Sequence, residues 1–326
     1  NAGRKIGLVW RAGDWLVKFP GTTRNLQGSV PSYTTAPVSE WLGSHVYAAF
    51  GIPVHETVLG IRDGRIVCAC RDFTFPDSRL VNFHDLKNSL SDDEPGFTED
   101  ASTGSGVVLA DVRSAIHRIP VLRSIDGVSD RFWDMFVVDA FIRNIDRNNT
   151  NWGVLRNPRG EFSLAPVYDN GNSFNNKRTD SGIERRLANP DLIRQDALDV
   201  RSCYVTDRGK PIAPLKYLAS GQDEECTKAL DRFMERYDPR SFHDLLGSIP
   251  SMSHGLTVVP DGFHEYHRRV CDYRYEHAFM EAWRDLHPTV GVPSSPEASV
   301  PEPLPDPDPS VLPLSSVPTC FDGPGM

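Results

Sequence analysis

The sequence predicts an α+β protein with two lobes, a small β-rich amino-terminal lobe and a larger helical carboxy-terminal lobe. Residues 1–72 alternate short apolar runs with turn signals and contain one helical stretch. From about Val107 to Leu286, apolar residues recur mainly at helical spacing. The length of 326 residues is also more than one hydrophobic core usually organises. We therefore expect an amino-terminal lobe over residues 1–72 and a carboxy-terminal lobe over residues 73–287.

The last segment, residues 288–326, is rich in proline and serine and has few core-forming residues. Such a composition does not bury enough apolar surface to fold by itself. We expect a disordered or extended tail there.

The charge balance disfavours two classes of partner. A formal net charge of −9 argues against a protein whose main task is to bind nucleic acid or an anionic membrane. No stretch approaches the roughly 20 apolar residues that span a bilayer, and the first residues lack the apolar run of a secretory signal. The six cysteines are scattered without zinc-site spacing, and we interpret them as reduced thiols of a cytoplasmic protein.

The amino-terminal lobe is predicted to hold two hairpins and one helix. A helix begins near Pro37, whose fixed φ suits a first turn, and Gly51 is a natural stop. The hairpins flank this helix, and the second one turns at an Asp-Gly pair. The four predicted strands are Lys5–Trp10, Trp15–Phe19, His55–Ile61 and Arg65–Arg71.

The carboxy-terminal lobe is predicted to be built around one buried helix. This helix is capped by Ser129 or Asp130, extends to about Ile145 and is apolar nearly all round. A hairpin should follow it, with strands over Trp152–Leu155 and Glu161–Val167. Further helices are predicted over Cys226–Tyr237 and Phe263–Leu286.

The densest chemical signal follows the buried helix, where Asp146 and Asn151 are five residues apart. This D-x-x-x-x-N spacing is that of the kinase catalytic loop. The carboxylate orients an acceptor hydroxyl and takes its proton, and the amide oxygen binds a metal ion on the phosphates. The pattern is weak alone, because Asp and Asn also favour ordinary turns.

The predicted hairpin strengthens this pattern by returning Asp169 to the loop that holds Asn151. Two oxygen ligands from different segments are what a Mg²⁺ ion on the β- and γ-phosphates of ATP requires. Gly171 would then give the backbone freedom to turn away. We predict Asp146 as the catalytic residue and Asn151 and Asp169 as metal ligands, with turn formation as the alternative for each.

Nucleotide-binding residues are predicted in the amino-terminal lobe. Lys18 lies inside an apolar strand and Glu40 on the following helix, an arrangement that kinases use to hold the α- and β-phosphates. The alternatives are an edge-strand lysine and a glutamate at a helix start. The three residues before the first strand and at its start, Gly3, Arg4 and Lys5, are interpreted as the end of a phosphate-covering loop, with a frayed chain terminus as the alternative.

Together these motifs resemble those of the HipA-like kinases of toxin–antitoxin type, and in particular their shorter members, which lack an amino-terminal subdomain. Val17-Lys18-Phe19-Pro20 is similar to the strand lysine motif, and Val38-Ser39-Glu40 to the helix glutamate segment. The stretch from Asp146 to Gly153 resembles the catalytic loop, and Pro166-Val167-Tyr168-Asp169 the metal-binding motif. The similarity extends over about residues 3–286.

The resemblance implies a protein-kinase-like fold and ATP- and Mg²⁺-dependent phosphorylation of serine or threonine on proteins, including the kinase itself. It also implies a protein substrate and an antitoxin or other regulatory partner. Two positions depart from the family pattern, which has histidine at Asn148 and glycine at Arg143. A kinase of lipids or small molecules and a nucleotide-binding regulatory module without turnover stay open as alternatives.

Overall fold

A computed structural model describes residues 4–23, 33–74, 76–91 and 106–288 of the chain. The predicted tail, residues 288–326, lies outside this part except for its first residue, and so does the predicted phosphate-contact residue Gly3. None of the described helices combines the length and the apolar character that crossing a membrane requires.

The first sheet has four antiparallel strands in the order β1-β2-β4-β3. Alternation along β2 places Trp15 and Val17 in a small core on one face, and Leu16 and Lys18 on the other. Lys18 lies opposite Cys68 of the neighbouring strand, which fixes its position on the inner face. The strands are β1 Lys5–Trp10, β2 Gly13–Lys18, β3 Thr57–Arg62 and β4 Arg65–Arg71.

The helix α1, Ala36–Ala49, crosses this sheet and joins it to the rest of the molecule. Its apolar side chains, among them Leu42 and Val46, belong to the same core as residues of the helical part. Pro37 lies in its first turn, as predicted. The buried Glu40 is therefore carried on a rigid element that contacts both parts of the chain.

The remaining described residues form a mainly helical part with three small sheets. Its helices are α2 Phe83–Ser91, α3 Leu109–Arg118, α4 Pro120–Arg123, α5 Val128–Ile142, α6 Asp180–Leu187, α7 Pro190–Leu198, α8 Pro214–Ser220, α9 Glu224–Arg236, α10 Pro239–Gly247, α11 Phe263–Arg274 and α12 Met280–Leu286. Its strands are β5 Arg79–Asn82, β6 Val107–Val108, β7 Gly153–Arg156, β8 Phe162–Leu164, β9 Tyr204–Val205, β10 Met252–Ser253 and β11 Leu256–Thr257.

The buried central helix is confirmed as α5, but its ends differ from the prediction. No side chain caps its start, where Gly127 adopts a φ of 76°. The helix ends at Ile142 because Arg143 takes a left-handed conformation with a φ of 57°. The predicted catalytic loop therefore begins three residues earlier than the predicted helix end at Ile145.

Two other predicted elements also differ in the structure. The long helix expected over Phe263–Leu286 is interrupted by a π-helical turn, Tyr275–Phe279, which separates α11 from α12. The strand expected over Glu161–Val167 is a regular strand only as β8, and Val167 at its end forms an isolated parallel bridge with Val54. Its partner β7 also pairs with β5, so the hairpin is the core of a three-stranded sheet.

Candidate active site

The loop after α5 brings Asp146 and Asn151 together through its own hydrogen bonds. The side-chain nitrogen of Asn151 donates to the backbone oxygen of Asp146 at 2.6 Å. Asn148 donates from Nδ2 to Oδ1 of Asp146 at 3.0 Å. The same Asn148 accepts from the backbone nitrogen of Thr150 at 2.9 Å. Asn148 thereby orients the Asp146 carboxylate.

Arg147 anchors this loop from inside the core, where only 2% of the residue is exposed. Its Nε donates to Oδ2 of Asp139 on α5 at 2.8 Å. Nη1 donates to the backbone oxygens of Asn151, at 2.9 Å, and of Tyr168. Nη2 donates to Oδ1 of Asn170. One guanidinium group thus connects the loop after α5 to the segment that follows β8.

That segment holds Asp169 in a left-handed conformation with a φ of 60°. The turn was predicted to depend on the backbone freedom of Gly171. The left-handed residue is Asp169 instead, and Gly171 itself has no positive φ. Gly171 is required for space instead: a Cβ there would lie 3.0 Å from Oε2 of Glu40. The backbone nitrogen of Asn170 donates to the other Glu40 oxygen, Oε1, at 3.1 Å.

Lys18 connects the two parts of the site. Its Nζ donates to Oε2 of Glu40 at 2.9 Å and to Oδ1 of Asp169 at 3.0 Å. Burial by itself would lower the pKa of Lys18, but the charges of Glu40 and Asp169 outweigh it and raise that pKa. For Glu40 the directions are reversed. Burial by itself would raise its pKa, but Lys18 and His55 outweigh burial and hold that pKa below its usual range.

His55 is a further partner of Glu40 that the sequence did not identify. Its Nε2 lies 3.1 Å from Oε1 of Glu40, and the His55 side chain is only 3% exposed. Cys70 completes a buried group in which one atom each of Glu40, His55 and Cys70 lies within 4.8 Å of the others. Because Lys18 already engages Glu40, this group belongs to the network that fixes the glutamate.

The phosphate-contact predictions at the start of β1 have different surroundings. Lys5 lies opposite Lys18 in the sheet and lines both cavities described below. Arg4 donates to Oδ2 of Asp63 at 3.0 Å on the surface, and its guanidinium stacks over the ring of Phe19. Phosphate contact by Arg4 stays a prediction.

Two cavities meet at these residues. The larger one, of about 740 Å³, lies under the inner face of the first sheet and reaches Asn151. The smaller one, of about 300 Å³, reaches Asp146. Three predicted site residues line both cavities: Lys5, Lys18 and Asp169. The apolar lining of the larger cavity includes Val9, Leu16, Cys70, Phe73, Leu80 and Tyr168.

Sequence reasoning found the loop, the lysine and the glutamate, but it missed the side chains that fix them. Arg147 directly follows Asp146 and Asn148 follows Arg147, so both were inside the motif. The buried role of Arg147 could have been suspected from its neighbours in the sequence. It lies between a carboxylate and three asparagine residues, which offer an arginine several hydrogen-bond acceptors.

Comparison with known proteins identifies the family. The model of the HipA-like C-terminal domain matches residues 2–240. The serine/threonine-protein kinase CtkA of Helicobacter pylori (strain J99) is 33% identical over 253 residues, which is 77% of this chain and 75% of CtkA. The chain belongs to the HipA-like C-terminal domain family. This membership confirms the resemblance inferred from the motifs.

Solved structures support the same assignment for the fold. The crystal structure of the Helicobacter pylori proinflammatory kinase CtkA superposes with a TM-score of 0.74 and 28% identity, over 88% of this chain and 95% of that one. The predicted two-lobed kinase-like fold and the prediction of an enzyme of the kinase class are therefore confirmed for this HipA-like chain.

A more remote likeness involves a toxin–antitoxin complex. The complex of HipA, HipB and operator DNA from Shewanella oneidensis MR-1 aligns with a TM-score of 0.47 and 11% identity, over 87% of this chain and 66% of that one. This similarity is too low to carry conclusions about partners, and the antitoxin partner stays a prediction.

Proposed function

We propose that this chain transfers the γ-phosphoryl group of ATP to a serine or threonine hydroxyl of a protein, with Mg²⁺ as the metal. The observation that supports this most is the meeting of two cavities at Lys18 and Asp169. One cavity suits a nucleotide and the other an acceptor, so the phosphoryl group would pass between them at those two residues.

The larger cavity suits ATP in size and in chemistry. Its volume of about 740 Å³ is within the usual range of roughly 300–1,000 Å³ for ligand pockets. On the apolar side of this cavity, Val9 is 77% exposed and Leu16 is 38% exposed. An adenine base bound there would cover this apolar surface. Lys18 lies at the other end with Lys5, where the phosphates would find positive charge.

Asn151 and Asp169 are proposed to hold the metal ion. Oδ1 of Asp169 pairs with Lys18, whereas Oδ2 accepts no hydrogen bond from the described residues. Oδ1 of Asn151 has a long contact of 3.4 Å, from Oγ1 of Thr150. Carboxylate and amide oxygens with free lone pairs are donors that fit Mg²⁺. Bound there, Mg²⁺ would neutralise charge on the β- and γ-phosphates.

Asp146 is proposed as the residue that acts on the acceptor. It lines the smaller cavity, where it can orient a hydroxyl and take its proton as the phosphoryl group arrives. Asn148 keeps Oδ1 of Asp146 engaged, which leaves Oδ2 to face the hydroxyl. Lys18, Glu40 and His55 position the nucleotide and take no part in proton transfer.

A protein acceptor is preferred over a lipid for two reasons. The relative that is 33% identical is a serine/threonine-protein kinase, and the net charge of −9 opposes stable docking on anionic membranes. An amino-terminal lobe that ends at residue 72 and a cytoplasmic location are further proposals that accompany this function.

The test is transfer of label from γ-³²P-ATP to a mixture of protein substrates and to the kinase itself. We expect Asp146→Asn and Asp169→Asn each to reduce transfer by about 100-fold or more. The matched control is Asp261→Asn, an exposed aspartate that lines none of the cavities described here. Equal transfer by all four proteins would refute the proposal. Stabilisation by ATP·Mg²⁺ without any transfer would instead favour the regulatory module.

A further inference from the structure

A third cavity, of about 550 Å³, lies beside the catalytic loop and carries a strong positive charge. Ile145, the neighbour of Asp146, lines it. Asn172, Asn176 and Lys177 line both this cavity and the smaller one that contains Asp146. The cavity therefore adjoins the space proposed for the acceptor hydroxyl. We call it the basic cavity.

The lining of the basic cavity contains five basic side chains and no acidic one. This collection is unusual in a chain whose net charge is −9. Like charges that crowd together repel one another unless an anion neutralises them. The five side chains are Arg143, Lys177, Arg178, Arg185 and Arg186.

Two carboxylates beside the basic cavity, Asp196 and Asp199, neutralise only part of this charge. Asp196 binds Nη2 of Arg178 through Oδ1 at 2.7 Å, and it binds Nε of Arg186 through Oδ2. Lys177 and Arg185 are exposed and form no ion pair with the described residues. Nε of Arg178 is buried and donates no hydrogen bond within the described part of the chain. The cavity thus has two cations, Lys177 and Arg185, left for a ligand.

The amino-terminal end of α6 also lines the basic cavity. Thr179, Ser181 and Gly182 at the amino-terminal end of this helix line the cavity. The helix dipole places partial positive charge at that end, which favours an anion. Asp180 lies in the first turn but is exposed and outside the lining.

We propose that the basic cavity binds the phosphoryl group of a phosphoserine or phosphothreonine close to the acceptor residue of a protein substrate. This inference rests on the proposed function, because the acceptor hydroxyl must lie at Asp146. A phosphoryl group carries about two negative charges at neutral pH and three acceptor oxygens, which match several arginine donors. The kinase would then prefer substrates that another kinase has already phosphorylated.

The test measures peptide binding by fluorescence anisotropy to phosphatase-treated Asp146→Asn protein, which does not need turnover. The probes are serine-containing peptides with phosphoserine at each of three positions on either side of the acceptor serine, and the same peptide without phosphate. We expect at least one phosphopeptide to bind about tenfold or more tightly than the plain peptide. Adding Lys177→Gln and Arg185→Gln should remove this preference.

The control is Lys216→Gln with Arg123→Gln, which changes the net charge equally at exposed positions outside the three cavities. This protein should keep the full preference. A preference that survives Lys177→Gln/Arg185→Gln, or no preference for any phosphopeptide, would overturn the inference. So would a short RNA oligonucleotide that binds more tightly than every phosphopeptide and depends on the same two residues.

The outcome can be separated from that of the proposed function. Label transfer by the wild-type protein together with equal binding of phosphorylated and plain peptides would refute the basic cavity alone. Phosphopeptide binding that depends on Lys177 and Arg185, without label transfer, would refute the catalytic proposal and retain the binding site.

Discussion

Replacing Arg147 by methionine should lower the stability of the protein, because it removes a buried charge that pairs with Asp139. Arg147 and the Asp139 side chain are 2% and 7% exposed, so their charges are shielded from water. Removing one partner of such a pair leaves the other charge buried alone, which typically costs about 3–5 kcal/mol. The backbone oxygens of Asn151 and Tyr168 lose their donor in the same change. We therefore expect a loss of about 3–5 kcal/mol in the free energy of unfolding.

The assay is urea unfolding followed by tryptophan fluorescence, combined in a double-mutant cycle with Asp139→Asn. In the wild-type protein, the hydroxyl of Tyr47 and the side-chain nitrogen of Asn144 both donate to Oδ1 of Asp139. The neutral amide that Asp139→Asn introduces keeps an acceptor oxygen for these two donors. The double variant should therefore be more stable than the sum of the single effects predicts, by about 1–3 kcal/mol.

Arg123→Met, at an exposed arginine, is the control for loss of the guanidinium itself and should change stability by less than about 0.5 kcal/mol. A cost below about 1 kcal/mol for Arg147→Met would refute the structural reasoning. Additive effects of the two buried substitutions, to within about 0.5 kcal/mol, would refute it equally.

Two further predictions concern stability. Burial lowers the pKa of His267 to about 3. Unfolding therefore takes up a proton below the ordinary pKa of about 6.5, and stability decreases by about 1.6 kcal/mol as the pH falls from 6.5 to 5. Unfolding curves of His267→Phe should lack this contribution, and an unchanged pH slope would contradict it. Gly153→Ala should cost about 1–3 kcal/mol or more, because the new Cβ would lie 2.2 Å from the backbone oxygen of Val81. Gly7→Ala in β1 meets no atom within 4 Å and should be near neutral in the same urea assay, so equal effects would count against the packing.

Local sequence signals were sufficient for the elements whose periodicity is clear. The four strands of the first sheet and α1 were predicted because alternation, the Asp-Gly turn and Pro37 act over a few residues. The strand β5 was missed: its four residues show little alternation, and its partner β7 lies far along the chain. The end of α5 was misplaced because Arg143 adopts a conformation that glycine usually supplies.

The candidate site shows the same division between local and distant information. The spacing of Asp146 and Asn151 is local, and the hairpin before Asp169 could be predicted from two apolar runs and the turn between them. Burial of Arg147 could not, since arginine is mostly exposed and its acceptors come from three separate segments. The basic cavity was also missed, because its cations lie in polar stretches without periodicity and only the fold collects them.

The central claim is that Asn151 and Asp169 bind one divalent ion beside the nucleotide. The most direct measurement is an electron paramagnetic resonance titration of Mn²⁺ into the protein saturated with a non-hydrolysable ATP analogue. Asn151→Ala and Asp169→Asn should each weaken Mn²⁺ binding by about tenfold or more, whereas Asp261→Asn should bind it as the wild type does. Wild-type affinity in both site variants would contradict the claim.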